Sequence, residues 1–79
     1  MPAATEGTAM SQKIKVILNG CEERISEGAT ILDLIALLNE TDRHLIVEHN
    51  NFLIPPSQYA TRTVADGDIV EFINPNMGG

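Results

Sequence analysis

Lys13-Ile14-Lys15-Val16-Ile17-Leu18-Asn19-Gly20-Cys21-Glu22-Glu23-Arg24-Ile25-Ser26 turns back on itself at its centre. Ile14, Val16 and Leu18 alternate with Lys13, Lys15 and Ile17, the period of a strand with one buried face. Asn19-Gly20 supplies the two positive-φ positions of a type I′ turn, and Cys21 to Ser26 returns as a second strand. The folded part of the chain therefore opens with a β-hairpin near Lys13.

Downstream, Thr30 with Asp33 three residues later has the spacing of a capping box, with Asp where Glu or Gln is usual. Ile31, Leu34, Ile35 and Leu38 follow at i, i+3, i+4, i+7 and predict a helix over Ile31 to Asn39. Leu45-Ile46-Val47 reads as a short strand and His49-Asn50-Asn51 as a turn. Phe52-Leu53-Ile54 reads as another short strand, ended by Pro55-Pro56. Asp66-Gly67-Asp68 is a turn signal before the last strand, Ile69-Val70-Glu71-Phe72-Ile73.

The order ββαββ leaves few topologies, because a helical crossover packs on one face of the sheet with a right-handed connection. The first and last strands are the most apolar, so they are expected side by side and parallel at the centre, with the short strands at the edges. The predicted class is α+β, a ubiquitin-like β-grasp with a mixed four- to five-stranded sheet packed on one helix. Residues 13–73 form the expected domain. Residues 1–12 (MPAATEGTAMSQ) lack apolar periodicity, a basic n-region and an apolar h-region, and read as a disordered leader. Residues 74–79 read as a flexible tail ending in diglycine.

Composition narrows the function. At 79 residues with 43% apolar side chains the chain has the size of one small domain, and a domain of about 60 residues buries only about 60% of the surface its unfolded chain exposes. A deep catalytic cleft is not expected, and no cofactor is called for. With 11 Asp and Glu against 5 Lys and Arg, the formal net charge is −6. That balance argues against nucleic acid and favours partners with basic docking surfaces. Cys21 stands alone and cannot form an internal disulfide, and no run of about 18 apolar residues exists to span a membrane. A reducing, cytoplasmic setting is expected.

The end of the sequence, Met77-Gly78-Gly79, offers a reactive group. A C-terminal carboxylate is ionised at neutral pH, so it is a poor electrophile but a substrate for an enzyme that adenylates carboxylates. Glycine suits that position because a residue without Cβ enters a narrow slot and lets a partner's backbone come close. Strand parity adds a docking expectation. If Val70 and Phe72 face the helix, then Ile69, Glu71 and Ile73 face away, and Ile17 faces away on the first strand. Ile17 and Ile73 are the apolar misfits on that outer face, expected to form a partner patch beside the tail.

Other residues have plainer readings. Cys21 has no CxxC or histidine neighbour and is read as a bystander thiol. His44 and His49 fall on opposite faces of a short strand, so no metal site is expected and both read as surface or turn histidines. Glu40 and Asp42 read as solvated charges, and Asp66 and Asp68 as turn formers. No catalytic acid–base pair is implied.

The hairpin, the Ala29-Thr30-Ile31-Leu32-Asp33-Leu34-Ile35 helix start, the segment Ala65-Asp66-Gly67-Asp68-Ile69-Val70-Glu71-Phe72 and the terminal Gly78-Gly79 resemble the ubiquitin-like sulfur carriers of the ThiS/MoaD superfamily. Ile54-Pro55-Pro56-Ser57-Gln58-Tyr59 is similar to the Val-Pro-Arg-Ser-Gln-Trp stretch of the thiamine-biosynthesis branch, the ThiS family, with Pro56 where that branch has Arg. The resemblance implies a sulfur carrier whose Gly79 carboxylate is adenylated by an ATP-dependent adenylating (E1-like) enzyme. The adenylate becomes a thiocarboxylate, with sulfur from a sulfur-donating enzyme, and is presented to thiazole synthase. Asn76, Met77 and Gly78 would enter the partner's active site. The alternatives are a molybdopterin-type or other sulfur carrier, and a ubiquitin-like protein modifier that uses the same carboxylate to form an isopeptide bond.

Overall fold

The computed structural model describes residues 12–75. Expectations for the leader before Gln12, and for Asn76, Met77, Gly78 and Gly79, lie outside the described residues. Strands β1 (Lys13–Leu18) and β2 (Cys21–Ser26) are followed by helix α1 (Ile31–Leu37), strands β3 (Ile46–His49) and β4 (Phe52–Ile54), one 3-10 turn (Pro56–Gln58) and strand β5 (Ile69–Ile73). The sheet order is β2-β1-β5-β3-β4. β1 and β5 pair in parallel, Ile17 with Ile69 and Leu18 with Val70. The expected central pair is thus in place.

The edges differ from expectation. β4 and β2 are the outer strands, whereas β3 lies inside, antiparallel to both β5 and β4. The reason is the tight Asn50-Asn51 turn, with φ of 52° and 71°. Two positive-φ residues close a two-residue hairpin, so β4 must fold back directly on β3.

The capping box forms with Asp33 in the Glu position. The Asp33 N–H donates to Thr30 Oγ1 at 3.2 Å, and the Thr30 N–H donates to Asp33 Oδ2 at 2.9 Å. The next two orphan donors are met by the long loop before β5, since the Ile31 and Leu32 N–H groups donate to the carbonyls of Arg62 and Tyr59. A helix start buried this way leaves no first-turn donor unsatisfied.

α1 ends at Leu37, two residues before the expected Asn39. Asn39 is left-handed, with φ of 55°. Its N–H donates to the Ala36 carbonyl, and the next N–H, of Glu40, reaches back to Ile35. Together these bonds make a Schellman stop with asparagine in place of the usual glycine.

The core lies between α1 and one sheet face. Val16, Leu18, Ile25, Val47, Ile54, Val70 and Phe72 meet Ile31 and Leu34 of the helix and Val64 of the loop. The alternation along β5 is as the parity argument requires, with Val70 and Phe72 buried and Ile69, Glu71 and Ile73 exposed. Where β1 has ended, Asn19 extends its ladder, because Oδ1 of Asn19 accepts the Phe72 N–H at 2.8 Å.

Candidate functional site

The sheet face opposite the helix carries a patterned surface. Ile46 pairs with Ile73 and Glu48 with Glu71 across β3 and β5, while Leu53 of β4 sits opposite Glu48. Ile17 and Ile69 pair across β1 and β5. Rows of strand neighbours are about 7 Å apart along the chain, so the two glutamates lie between an isoleucine pair on the tail side and another on the far side. Ile73 is 39% exposed, Ile69 50% and Leu53 67%, while Ile17 and Ile46 are half-buried. The expected pair Ile17 and Ile73 shares one face, and the structure adds Ile69, Ile46 and Leu53 to it.

The two carboxylates bear on what that face can do. Like charges directly opposite on a sheet are destabilising, and among the described residues neither the Glu48 nor the Glu71 carboxylate has a side-chain hydrogen bond or ion pair. The Lys15–Glu22 contact at 3.7 Å lies further along the face between well-exposed groups and contributes little. The face is therefore apolar with an acidic centre, suited to a partner that brings apolar side chains and a cation.

At the tail side of this face β5 gives way to Asn74 and Pro75. The Asn74 side-chain amide donates to Glu40 Oε2 and to Asp42 Oδ2, each at 3.1 Å. Both carboxylates are held by backbone as well. The Asp42 N–H donates to Glu40 Oε2 at 3.1 Å, and the His44 N–H to Asp42 Oδ1 at 2.8 Å. The His44 N–H, followed by the Asn74 amide, keeps the Asp42 carboxyl below its usual pKa. Glu40 and Asp42 are thus acceptors for the residue that follows β5 rather than the freely solvated charges expected. Their partner lies more than thirty residues away in sequence, which no local pattern signals.

His49 also departs from expectation. It is 6% exposed, not a surface or turn residue. Asp68 sits 2.6 Å from its Nε2, and Arg62 Nε donates to its Nδ1 at 2.9 Å. A ring that accepts at Nδ1 must carry its proton on Nε2, so it is the neutral tautomer that donates to Asp68. Asp68 Oδ2 accepts the Ala65 N–H at 2.7 Å and Oδ1 accepts from Asn50 Nδ2 at 3.1 Å. Burial acts to raise the Asp68 pKa, but the bonds from His49, Ala65 and Asn50 outweigh it and hold the carboxyl below its usual range. Asp68 is a turn former that also anchors a buried histidine. This network sits at the start of β5, the end remote from Asn74, and it fastens loops together.

His44 is exposed while His49 is buried, and among the described residues no cluster of His, Cys, Asp and Glu could hold a metal ion. Asp66 caps the β1 side, its Oδ1 accepting the Lys15 N–H at 2.8 Å. Cys21 is exposed on the hairpin. Burial raises the pKa of Tyr59, whose hydroxyl donates to the Leu45 carbonyl at 3.4 Å. Among the described residues no helix is long and apolar enough to cross a membrane.

Comparison with known proteins agrees with this geometry. The model of the ThiS family matches residues 11–79. The crystal structure of the thiamine biosynthesis protein ThiS from Geobacter metallireducens superposes with a TM-score of 0.71 at 28% identity, covering 84% of this chain and 99% of that one. A thiazole synthase from Paramagnetospirillum magneticum is 35% identical over 60 residues, 76% of this chain. The chain spans 18% of the length of that relative.

Proposed function

The chain belongs to the ThiS family, small β-grasp sulfur carriers, and on that premise we propose that it delivers sulfur for thiazole formation in thiamine biosynthesis through its Gly79 carboxylate. The observation that carries this reading is a family match that runs from the start of the sheet through the diglycine. The chain does no chemistry of its own. Residues 13–73 are the docked body and 74–79 the tail. Six residues extend about 20 Å at about 3.3–3.6 Å each, enough to bring Asn76, Met77, Gly78 and Gly79 into a partner's buried active site.

The carboxylate oxygen of Gly79 attacks the α-phosphorus of ATP on an adenylating enzyme, and pyrophosphate leaves. Hydrosulfide released by a sulfur-donating enzyme then attacks the acyl carbon; the acyl–phosphate C–O bond breaks, AMP leaves, and the proton is lost to solvent, leaving a thiocarboxylate. Thiazole synthase consumes that sulfur. The relative whose name is thiazole synthase supports this partner, because a stretch of that one chain resembles this protein, and joining carrier to synthase replaces diffusion with a high effective concentration. The body docks through the outer face around Ile17 and Ile73, with Ile69, Ile46 and Leu53 beside them. The setting is the cytoplasm, with neither nucleic acid nor membrane as a partner.

The test is intact-mass spectrometry of the chain incubated with ATP, a sulfur donor and the cognate adenylating enzyme. The expected product carries one sulfur in place of one oxygen at Gly79 and supports thiazole formation when thiazole synthase is added. An isopeptide-linked product on a lysine would assign the modifier function instead, and an unmodified chain would overturn both.

A further inference from the structure

Asn74 is the first residue after β5, where the body passes into the tail, and its side-chain bonds and the proline that follows both fix its conformation. Its side-chain amide has two N–H donors, and each meets one carboxylate oxygen, Glu40 Oε2 and Asp42 Oδ2. These are charge-assisted bonds, stronger than neutral ones. Pro75 follows, and a residue before proline is confined to extended backbone, while the proline ring locks its own φ. The acceptors are themselves anchored. Glu40 joins the helix through its N–H to Ile35, and Asp42 holds the loop through the Leu45 N–H on its carbonyl. Aspartate there would bring a third negative charge and alanine no donor.

We propose that Asn74 is a positioning residue, clamped by Glu40 and Asp42 so that the chain leaves the sheet in one fixed direction towards a partner's adenylation site. The proposal rests on the sulfur-carrier reading. Docking of the body sets affinity, and insertion of the tail within the docked complex is a separate, unimolecular step. Loss of the clamp therefore lowers the fraction of docked complexes with the carboxylate in place. It lowers kcat and leaves KM and body affinity unchanged.

The experiment compares wild type with Asn74→Ala, Asn74→Asp, Asn74→Gln and the exchanged pair Asn74→Asp/Asp42→Asn. Each is measured by ATP–pyrophosphate exchange with the cognate adenylating enzyme, by thermal unfolding, and by the NMR order parameter of the residue 74 amide. Asn74→Ala is expected to lower kcat on the order of 10-fold, within the 10²-fold that a misplacement of about 1 Å can cost. KM stays unchanged and the order parameter falls. Asn74→Asp loses more, and Asn74→Gln, which keeps both donors on a longer stem, loses less. The exchanged pair, which restores an amide facing a carboxylate, recovers part of the loss.

Unchanged kcat in Asn74→Ala with a lowered order parameter would overturn the proposal and leave the carrier reading standing. A rise in KM alone would also overturn it, placing Asn74 in the docking face. If the wild-type chain supports no exchange, the carrier reading fails and the clamp is judged by NMR alone, an unchanged order parameter in Asn74→Ala overturning it.

Discussion

The two ends of β5 are fastened by different means. At its start Asp68 accepts from His49, Asn50 and the Ala65 N–H, and Asn50 exchanges two bonds with the backbone of Ile69. At its far end the side chain of Asn74 alone reaches out to the neighbouring loop. Redundant bonds suit an end where loss of one must not release the strand. Two bonds from one side chain suit an end where the chain passes from body to tail, because they fix the direction of the chain at Asn74. Stability belongs to the first end and, on the proposed function, delivery to the second.

That division can be broken most directly at the delivery end. Removing Gly79, or adding one residue after it, is expected to abolish ATP–pyrophosphate exchange while circular dichroism and the thermal midpoint stay at wild-type values. Persistent exchange in the shortened chain would sink the carrier reading. In the body between the two ends, Phe72→Ala removes a core aromatic that is 8% exposed. It should cost about 3–5 kcal/mol in urea unfolding, and a neutral result would invert the strand parity.

At the stability end, Asp68→Ala leaves the buried His49 without its acceptor and the Ala65 N–H unpaired. A loss of about 1–3 kcal/mol is expected, with kcat for activation unchanged in the folded fraction. Near the delivery end, Ile73→Asp should weaken affinity for the adenylating enzyme about 10-fold or more, about 1.4 kcal/mol. Its stability cost stays within the roughly 0.2–1 kcal/mol of a cross-strand pair, here with Ile46. Calorimetric titration beside thermal unfolding separates the two effects.

The smallest effect is in pH. Asp68 and Asp42 both have folded-state pKa values below the ordinary one. Their contribution to stability is therefore fully present above the usual carboxylate value near about 3.9 and is lost as pH falls through the lower folded values. Asp68→Asn should flatten the acid limb of the midpoint-against-pH curve. An acid limb identical to wild type would remove Asp68 from the anchoring of β5.

The residues read in order revealed the features that near neighbours decide. The Asn19-Gly20 hairpin, the Thr30–Asp33 cap and the alternation along β5 each depend on contacts within a few positions. The parallel β1–β5 pair was legible because the two most apolar strands had to share the centre. His49, Glu40 and Asp42 were misread for the opposite reason. Their partners Asp68 and Asn74 are 19 to 34 residues distant, and a lone charged residue in a polar loop looks the same whether solvated or bonded. The helix end was overrun because Leu38 continues the apolar period although Asn39 turns left-handed. The expectation of a reactive tail at Asn76 to Gly79 rests on the diglycine and the family resemblance alone.

The parallel pairing of Ile17 with Ile69 has a consequence in time. A ribosome makes β1 early and β5 after every other strand of the sheet, so the central pair cannot close until more than fifty residues have followed Ile17. Contacts so distant in sequence form slowly. A nascent chain lacking β5 also lacks Ile69 and Ile73, and with them half of each isoleucine pair on the outer face. On the proposed function, completion of folding and eligibility for activation would therefore arrive together, and an unfinished chain would not be presented for adenylation.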